Sequence, residues 1–216
     1  MTIIICLTGN RFSGNFLDCW TQTLLYLNKK NINFVVSRRE CSNVFLVRNL
    51  VLGTHISRGR NQKPFNGEID YDYILWIDCD TVWSIENLEN LFNTDGDIVS
   101  GLYLMQDKQN FSAVEVWDEA YFKQNYGFKY VNISDIQNYK EPFEVSYAGM
   151  GFMLVKKGVF EALQYPYFEA LPFDFGDGIF EYTSEDIGFC LKAKKQGFNV
   201  IVNPNIIVGH EKMIIL

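Results

Sequence analysis

The sequence lacks an excess of positive charge. Its 216 residues include 19 lysines and arginines but 26 aspartates and glutamates, which gives a formal net charge of −7. Nucleic-acid-binding domains usually present a basic face, so we expect no nucleic-acid partner. No apolar run reaches the roughly 18 residues that a membrane span needs, and no basic leader or cleavage site accompanies the apolar start. We therefore expect no intrinsic membrane span and a cytoplasmic location.

Paired cysteines are also missing. The five cysteines are odd in number and lack the paired spacing of a zinc site. They are Cys6, Cys19, Cys41, Cys79 and Cys190. Reduced thiols are the expected state, which excludes a disulfide scaffold or a zinc finger. Repeats and low-complexity tracts are absent too, and the length suits one well-packed domain, so we expect a single core.

What the sequence does contain is an apolar strand that ends in two carboxylates. The run 74–77 leads directly into Asp78, Cys79 and Asp80. In open α/β sheets, ligands bind at the carboxyl ends of the strands. Carboxylate oxygens on a turning backbone suit a Mg²⁺ or Mn²⁺ ion that also holds phosphate oxygens. An isolated Asp-x-Asp pair is a weak signal, because an ordinary strand-end turn explains it equally well, but its context favours a metal–diphosphate site.

Strand-like and helix-like segments alternate along the chain. Apolar runs predict strands at 2–7, 33–37, 74–77, 97–104, 199–202 and 206–208. Helical spacing and caps predict helices at 16–27, 85–92, 158–163 and 184–196, while 44–56 fits helix or loop. The segment 106–147 reads as hairpins and loops that cross the sheet. This alternation predicts an α/β fold, a single Rossmann-like domain whose central, mostly parallel sheet is flanked by helices.

Two acidic residues open the helix predicted at 184–196. Glu185 and Asp186 lie in its first turn, where the helix dipole favours anions, and that structural role is the more common one. A carboxylate that faces an aromatic pocket can instead act as a general base. The aromatic residues available for such a pocket are Tyr147, Phe152, Phe173 and Phe175.

Histidine and arginine provide the remaining candidates. His210 is one of only two histidines, and a lone histidine is more often a surface residue than a ligand. An imidazole would nevertheless suit Mn²⁺ as a partner for Asp80. Arg38, Arg58 and Arg60 are candidates for a diphosphate, although a solvated ion pair is the default for a surface arginine.

The order of these motifs resembles that of the GT-A glycosyltransferases, especially the inverting, family-two-like members. The resemblance covers nearly the whole chain and rests on six short pieces. They are the strand 3–8, Arg58-Gly59-Arg60-Asn61, the strand 74–77 with Asp78-Cys79-Asp80, Ala148-Gly149-Met150-Gly151-Phe152, Ser184-Glu185-Asp186-Ile187-Gly188-Phe189, and His210. Within the family, the chain looks most like the capsid-decorating glycosyltransferase domains of chlorella viruses. It departs from the pattern at Met150 and Phe152, which would make the acceptor-side loop bulky.

The resemblance implies roles for the matched residues. The residues that would bind the donor nucleotide are Thr8, Gly9, Asn10, Arg11, Ser37, Arg38, Arg60, Asp78, Cys79 and Asp80. The metal site would comprise Asp80 and His210 as direct ligands, with Asp78 reaching the ribose or a metal-bound water. Asp186, beside Glu185, would be the catalytic base. Residues 1–104 would form the nucleotide-binding part and 105–216 the acceptor side.

The implied reaction is a sugar transfer that depends on Mn²⁺ or Mg²⁺ and inverts the anomeric carbon. A hexose or deoxyhexose, such as glucose or rhamnose, would pass from a UDP-linked donor to a hydroxyl of a glycan or glycoprotein acceptor. A viral capsid glycoprotein is one candidate acceptor. For a viral protein, the cytoplasm would be that of the host.

Three other functions remain open at this point. Asp78 and Asp80 also fit the nucleophile strand of a haloacid-dehalogenase-type phosphohydrolase, although this strand comes late in the chain and the later lysine and acidic pair are poorly matched. A nucleotidyltransferase would need a glycine-rich, lysine-bearing loop near residue 10, where only Gly9 and Gly14 occur. A non-catalytic glycan-binding module would bind sugar without metal-dependent donor turnover.

Overall fold

The computed structural model describes residues 1–212, in which strands and helices alternate. The strands are β1 (Thr2–Thr8), β2 (Asn33–Arg39), β3 (Tyr73–Asp78), β4 (Thr81–Val82), β5 (Ile98–Leu102), β6 (Ala113–Val114), β7 (Phe143–Glu144), β8 (Tyr147–Ala148), β9 (Phe152–Lys156), β10 (Pro172–Gly176), β11 (Ile179–Tyr182), β12 (Val200–Ile207) and β13 (Gly209–His210). The helices are α1 (Gly14–Lys29), α2 (Val44–Val51), α3 (Ile85–Asn93), α4 (Glu119–Asn125), α5 (Ile133–Ile136), α6 (Val159–Ala162) and α7 (Glu185–Lys195). No helix in this range is both long and apolar enough to cross a bilayer.

The centre of the described chain is a seven-stranded sheet in the order β2-β1-β3-β9-β5-β12-β7. Strands β2, β1 and β3 are parallel to one another, and β12 is parallel to β5. Strand β9 runs antiparallel between β3 and β5, and β7 runs antiparallel beside β12. The predicted α/β fold with a mostly parallel central sheet is therefore confirmed.

Helices cover both faces of the sheet because its central strands are apolar on both sides. Four consecutive residues of β3, Ile74 to Ile77, are fully buried. Trp76 packs in the cluster that also contains Phe160 and Phe189, and Ile77 packs in the other cluster with Phe16 and Leu88. Such continuous apolar strands are typical of parallel sheets with two covered faces. The carboxyl ends of these strands are left for the loops that form the site.

Capping side chains decide where several helices begin. At α3, Ser84 Oγ accepts a hydrogen bond from Asn87 N, and Asn87 Oδ1 accepts one from Ser84 N. Each donor–acceptor distance is 3.0 Å. The capping box is therefore complete, because the asparagine amide oxygen replaces the usual glutamate carboxylate. At α7, Ser184 takes the N-cap position without a side-chain cap bond.

In three segments, the structure differs from the predicted secondary structure or completes it. The segment 44–56, open between helix and loop, begins with helix α2. The segment 106–147 contains helices α4 and α5 as well as short strands, so its reading as hairpins and loops alone is wrong; Asp118 and Asn132 cap these helices. The strands predicted at 199–202 and 206–208 form the single strand β12, whose register shifts between Val202 and Ile207.

Candidate active site

Asp78 ends β3 beside the end of β1. The two strands are parallel, and Thr8 is the register partner of Asp78. Thr8 Oγ1 consequently donates a hydrogen bond to Asp78 Oδ1 over 2.7 Å. On the other side, Asp78 N donates to Gly151 O over 3.0 Å. The first carboxylate of the pair is thus held at the carboxyl edge of the sheet, where the sequence places it.

A buried arginine that the sequence analysis missed connects two of the candidate acids. Arg48 of α2 donates from Nη1 and Nη2 to the two carboxylate oxygens of Asp78, over 3.0 and 2.9 Å. Its Nε donates to Glu185 Oε1 over 3.0 Å. Burial acts to lower the pKa of Arg48, but Asp78 and Glu185 outweigh it and hold the pKa above its ordinary value. Arg48 therefore stays charged, and its position in a helix whose other residues, apart from Asn49, are apolar was the available sequence signal.

These contacts change the roles of Asp78 and Glu185. Both oxygens of Asp78 are engaged by Arg48, and one also accepts from Thr8, so no oxygen of this carboxylate is without a partner. Glu185 is buried and paired with Arg48, and its catalytic role beside Asp186 stays a prediction. In this geometry, the two carboxylates position Arg48 and tie the start of α7 to the end of β3.

Asp80 and His210 come together because the short strands β4 and β13 pair. Thr81 is the register partner of His210, and His210 Nε2 lies 3.0 Å from Asp80 Oδ2. The other ring nitrogen, Nδ1, lies 3.3 Å from Leu104 O. Burial alone would raise the pKa of the Asp80 carboxyl, but the adjacent His210 and Lys212 side chains lower it to about 2. The Asp80 carboxylate is therefore charged at neutral pH.

Asp186 lies in the first turn of α7 and is partly exposed. Its Oδ1 accepts hydrogen bonds from the Ser184 hydroxyl and, over 2.8 Å, from Ile187 N. Burial raises the pKa of Asp186, and the neighbouring Glu185 raises it further, while the Ser184 bond acts in the opposite direction. A carboxyl with a raised pKa is better matched to proton transfer near neutral pH than an ordinary one.

Tyr103, which the sequence analysis did not single out, packs against the glycine segment and His210. Its ring lies edge-on to the His210 ring, with centroids 4.9 Å apart. A Cβ atom at Gly149 would lie 2.0 Å from the Tyr103 hydroxyl oxygen, and one at Gly151 would lie 2.9 Å from a ring carbon. The glycines therefore make room for this tyrosine. Burial, and then the charge of Asp186, raise the pKa of Tyr103, which keeps its phenol protonated.

The aromatic residues expected around Asp186 are divided between different places. Tyr147 is buried, and Asp186 is among the charges that raise its pKa after burial and Tyr130. Phe173 and Phe175 belong to the hairpin β10–β11 and pack on Trp117 and Phe122, with centroids 4.8 and 4.1 Å apart.

The loop after β1 packs against the end of β2 and the Asp-x-Asp turn. Gly9 has φ of +117°, and a Cβ atom there would lie 2.6 Å from Cys79 Sγ. Arg38 Nη1 donates to Gly9 O over 3.0 Å, and the Asn10 amide donates to Glu40. The structure thus brings together Gly9, Asn10, Arg38 and Cys79 from the predicted nucleotide-binding set.

Three members of the predicted nucleotide-binding set have other surroundings. The Ser37 hydroxyl donates to Val51 O over 2.6 Å, so it fastens β2 to α2. Arg11 is exposed in the loop before α1. Arg60 lines a pocket of about 430 Å³ together with Lys192 and Lys195. Because these lysines lie near the last turn of α7 and Asp186 lies in its first, the structure does not bring Arg60 to the acidic groups.

The acceptor-side loop is not bulky in the way that the sequence suggested. Met150 and Phe152 are fully buried. The Phe152 ring packs against Trp83, with centroids 5.8 Å apart, on the sheet face that carries α1 and α3. Both residues therefore contribute to the core, and their side chains do not make the loop bulky.

Asp80 and His210 fit a divalent cation that shares its coordination with phosphate. Within residues 1–212, no group of three or more histidine, cysteine, aspartate or glutamate side chains is arranged to hold a metal ion alone. Enzymes that act on nucleotides commonly bind Mg²⁺ through one or two carboxylates plus substrate phosphates. If Nδ1 of His210 donates to Leu104 O, Nε2 presents its lone pair beside Asp80, as a metal ligand requires.

No protein-family model and no curated protein match the sequence, but solved structures do. A197 from STIV matches with a TM-score of 0.55 and 17% identity over 100% of this chain and 97% of its own. GalNAc-T7, solved with UDP, GalNAc and Mn²⁺, matches with a TM-score of 0.53 and 11% identity over 99% of this chain. The catalytic domain of Drosophila β1,4-galactosyltransferase 7, solved with xylobiose, has a TM-score of 0.50 and 12% identity over 98% of this chain.

The chain has a GT-A-like fold. It spans 43% of the GalNAc-T7 chain and 71% of the Drosophila domain. At these identities, the similarity establishes the fold. None of the three structures is a chlorella virus protein, so the closer resemblance to those viruses stays a prediction.

Proposed function

We propose that the protein is a metal-dependent, inverting glycosyltransferase. In this proposal, a hexose or deoxyhexose passes from a UDP-linked donor to a hydroxyl of a glycan or glycoprotein, with a capsid glycoprotein as the acceptor that the sequence resemblance suggests. The observation that carries the proposal is the presence of two distinct acidic sites on a GT-A-like sheet, Asp80 with His210 and, separately, Asp186.

The first acidic site is suited to the donor diphosphate. Asp80 remains charged, and the contact of His210 Nδ1 with Leu104 O orients Nε2 towards Asp80. A Mn²⁺ or Mg²⁺ ion bound by these two residues would offset the charge that develops on the departing nucleoside diphosphate. The GT-A-like GalNAc-T7 was solved with UDP and Mn²⁺, which supports this pairing of metal and nucleotide by analogy of fold.

The second acidic site supplies the base. Asp186 takes the proton of the acceptor hydroxyl as that oxygen attacks the anomeric carbon from the face opposite the leaving group. The C–O bond to the acceptor forms while the bond to the diphosphate breaks, so one displacement inverts the anomeric carbon. The raised pKa and partial exposure of Asp186 support this role. Asp78 and Glu185 act indirectly, because their ion pairs with Arg48 hold α7 against β3.

The nucleoside side of the site is proposed to lie at the loop after β1 and the end of β2. Thr8, Gly9 and Asn10 follow β1, and Arg38 reaches across to Gly9 O. In chain order, residues 1–104 then supply most nucleotide contacts, and 105–216 supply the acceptor side. The Arg60 side chain has no part in this proposal, because it lies near the far end of α7.

The phosphohydrolase alternative has less support from the geometry. It requires Asp78 to attack phosphorus with a free carboxylate oxygen. Arg48 engages both oxygens of Asp78, and Thr8 donates to one of them. Asp78 is therefore arranged as a structural anion.

Calorimetric titration of UDP and GDP, each with Mn²⁺ and with EDTA, tests the proposed function. We expect one nucleotide, UDP, to bind only with Mn²⁺, and Asp80→Ala to weaken that binding by at least about tenfold because a metal ligand is lost. Asp70→Ala is the matched control, since Asp70 is an exposed aspartate whose partner is Lys157; it should bind as the wild type does. Absence of nucleotide binding under every condition would contradict the proposal.

A further inference from the structure

Lys212 occupies the position between the two proposed metal ligands. Its Nζ atom lies 3.0 Å from Asp80 Oδ2 and 2.5 Å from His210 Nε2. Those two acceptor atoms are themselves 3.0 Å apart. The ammonium group therefore contacts both atoms that the proposed function assigns to a divalent cation.

Hydrogen-bonding chemistry explains why a cation is needed there. His210 Nδ1 faces the carbonyl oxygen of Leu104, and Nε2 contacts the Lys212 ammonium group, which can only donate, so this arrangement requires the proton on Nδ1 and a lone pair on Nε2. That lone pair and the Asp80 carboxylate are two acceptors within hydrogen-bonding distance of each other. Lys212 brings N–H donors and a positive charge and has no acceptor of its own, so it satisfies both at once.

Release of Lys212 requires only its side chain to move. The residue before it is fixed, because Glu211 N donates to Asp80 O over 2.8 Å and Glu211 Oε1 accepts from Asn15 over 2.8 Å. The Lys212 side chain is 52% exposed, so solvent borders its flexible stem. The ammonium group can leave the acceptors by rotation while the paired strands β4 and β13 keep Asp80 and His210 in place.

We propose that Lys212 is an internal counter-ion of the metal site, and that a divalent cation binds only by displacing it. This inference rests on the proposed function, which makes Asp80 and His210 the metal ligands. A metal ion alone must then compete with a tethered cation and binds weakly. A nucleoside diphosphate supplies further ligands for the ion and an anionic partner for the displaced ammonium group, so metal and nucleotide bind cooperatively.

Titration of Mn²⁺ alone into nucleotide-free protein tests the displacement. Lys212→Met keeps the length of the stem and removes the charge, so the dissociation constant for Mn²⁺ should fall by about tenfold or more, because no like charge opposes the ion. Lys157→Met is the matched control. Lys157 is 51% exposed and pairs with Asp70, and it follows β9, whose end lies beside the start of β3 and so away from Asp80. The control should leave the Mn²⁺ affinity unchanged.

A second titration, with saturating UDP, measures the coupling between the two ligands. UDP should increase the Mn²⁺ affinity of both proteins. The factor of increase should be about tenfold larger for the wild type than for Lys212→Met, since the variant has no lysine to displace. Equal or weaker binding of Mn²⁺ to Lys212→Met, or equal coupling in both proteins, overturns the inference. The proposed function still stands after such results if the wild type binds UDP only with Mn²⁺ and Asp80→Ala does not. If UDP binding to the wild type does not depend on Mn²⁺, the proposed function itself is wrong.

Discussion

At the scale of single residues, Arg48 is the contact on which the geometry of the site depends. It joins Asp78, 30 residues away in the sequence, to Glu185, 137 residues away. All three groups are largely withdrawn from water, with side-chain exposures of 6% for Arg48, 23% for Asp78 and 11% for Glu185. A buried ion pair of this kind is tolerated because each charge has a partner, and removal of one partner leaves the others uncompensated.

Replacement of Arg48 by methionine should therefore lower the free energy of unfolding by about 3–5 kcal/mol. Urea-induced unfolding followed by circular dichroism measures the change. Arg38→Met removes an exposed arginine that donates to Gly9 O, and should cost less than about 1 kcal/mol. Equal stability of Arg48→Met and the wild type would mean that the two ion pairs make no net contribution.

Asp186 allows a separate prediction about chemistry. Asp186→Asn keeps the shape of the side chain but cannot take a proton, so kcat should fall by about 10²- to 10⁴-fold while the affinity for UDP with Mn²⁺ changes little. Steady-state kinetics and calorimetry on the same preparation measure the two quantities. Equal losses of turnover and UDP affinity would indicate a structural role.

The pH profile provides a control for the same residue. Burial, and then Glu185, raise the pKa of Asp186 above the ordinary value for aspartate. A base acts only when deprotonated, so turnover of the wild type should fall as the pH falls through this raised pKa. The residual turnover of Asp186→Asn should lack that acidic limb.

At the scale of elements, the segment between β8 and β9 is shaped by a side chain from a distant part of the chain. Tyr103 follows β5 and fills the space above Gly149 and Gly151. At either glycine, a Cβ atom would lie too close to the tyrosine side chain. Its ring in turn packs edge-on against His210. The glycine segment is therefore connected to His210, a proposed metal ligand, through one aromatic ring.

Gly149→Ala should displace Tyr103, because the new methyl group would lie 2.0 Å from the phenol oxygen. We expect a loss of about 1–3 kcal/mol in unfolding free energy, as for other overpacked cores, together with weaker UDP binding in the presence of Mn²⁺. Thermal unfolding and calorimetry measure these effects. Gly14→Ala, where no atom lies within 4 Å of the new Cβ, should be neutral.

A double variant separates the steric cause from other effects of the substitution. Tyr103→Phe removes the oxygen that Gly149→Ala would strike, so the combination should be more stable than Gly149→Ala alone. The Ser112 hydroxyl oxygen lies 2.4 Å from the same Cβ position, which makes the expected recovery partial. No recovery would mean that the Tyr103 hydroxyl is not the decisive obstacle.

Helices and strands were predicted correctly where the residues that specify them lie close together in the sequence. Strand β3 and helix α1 were predicted because apolar spacing and flanking polar residues specify them within a short window. Helices α4 and α5 were missed, since they are short and lie in an aromatic, irregular segment. Strand β12 was divided in two because the polar residues Asn203 and Asn205 interrupt its apolar run where the register shifts.

At the scale of the whole molecule, the sequence predicted the edge of the sheet that carries the acidic groups, and the order of motifs suggested the pairing of Asp80 with His210. It did not predict Arg48, Tyr103 or Lys212. Their importance depends on contacts between distant parts of the chain, as with the 132 residues that separate Lys212 from Asp80. Arg60 was chosen for its basic character and its place in the order of motifs, and nothing local indicated that its loop runs to the other end of α7.

The order of strands in the sheet also has a consequence for synthesis on the ribosome. Strand β9 lies between β3 and β5, and Leu154 is the register partner of both Leu75 and Val99. Both of these neighbouring strands, β3 and β5, leave the ribosome before β9 has been made. Strand β3, beside β1, then waits with one edge of unpaired N–H and C=O groups, whereas β5 waits with both edges unpaired, because β12 is made later still. The nascent chain is most prone to pair with other chains in the interval before residue 156 emerges.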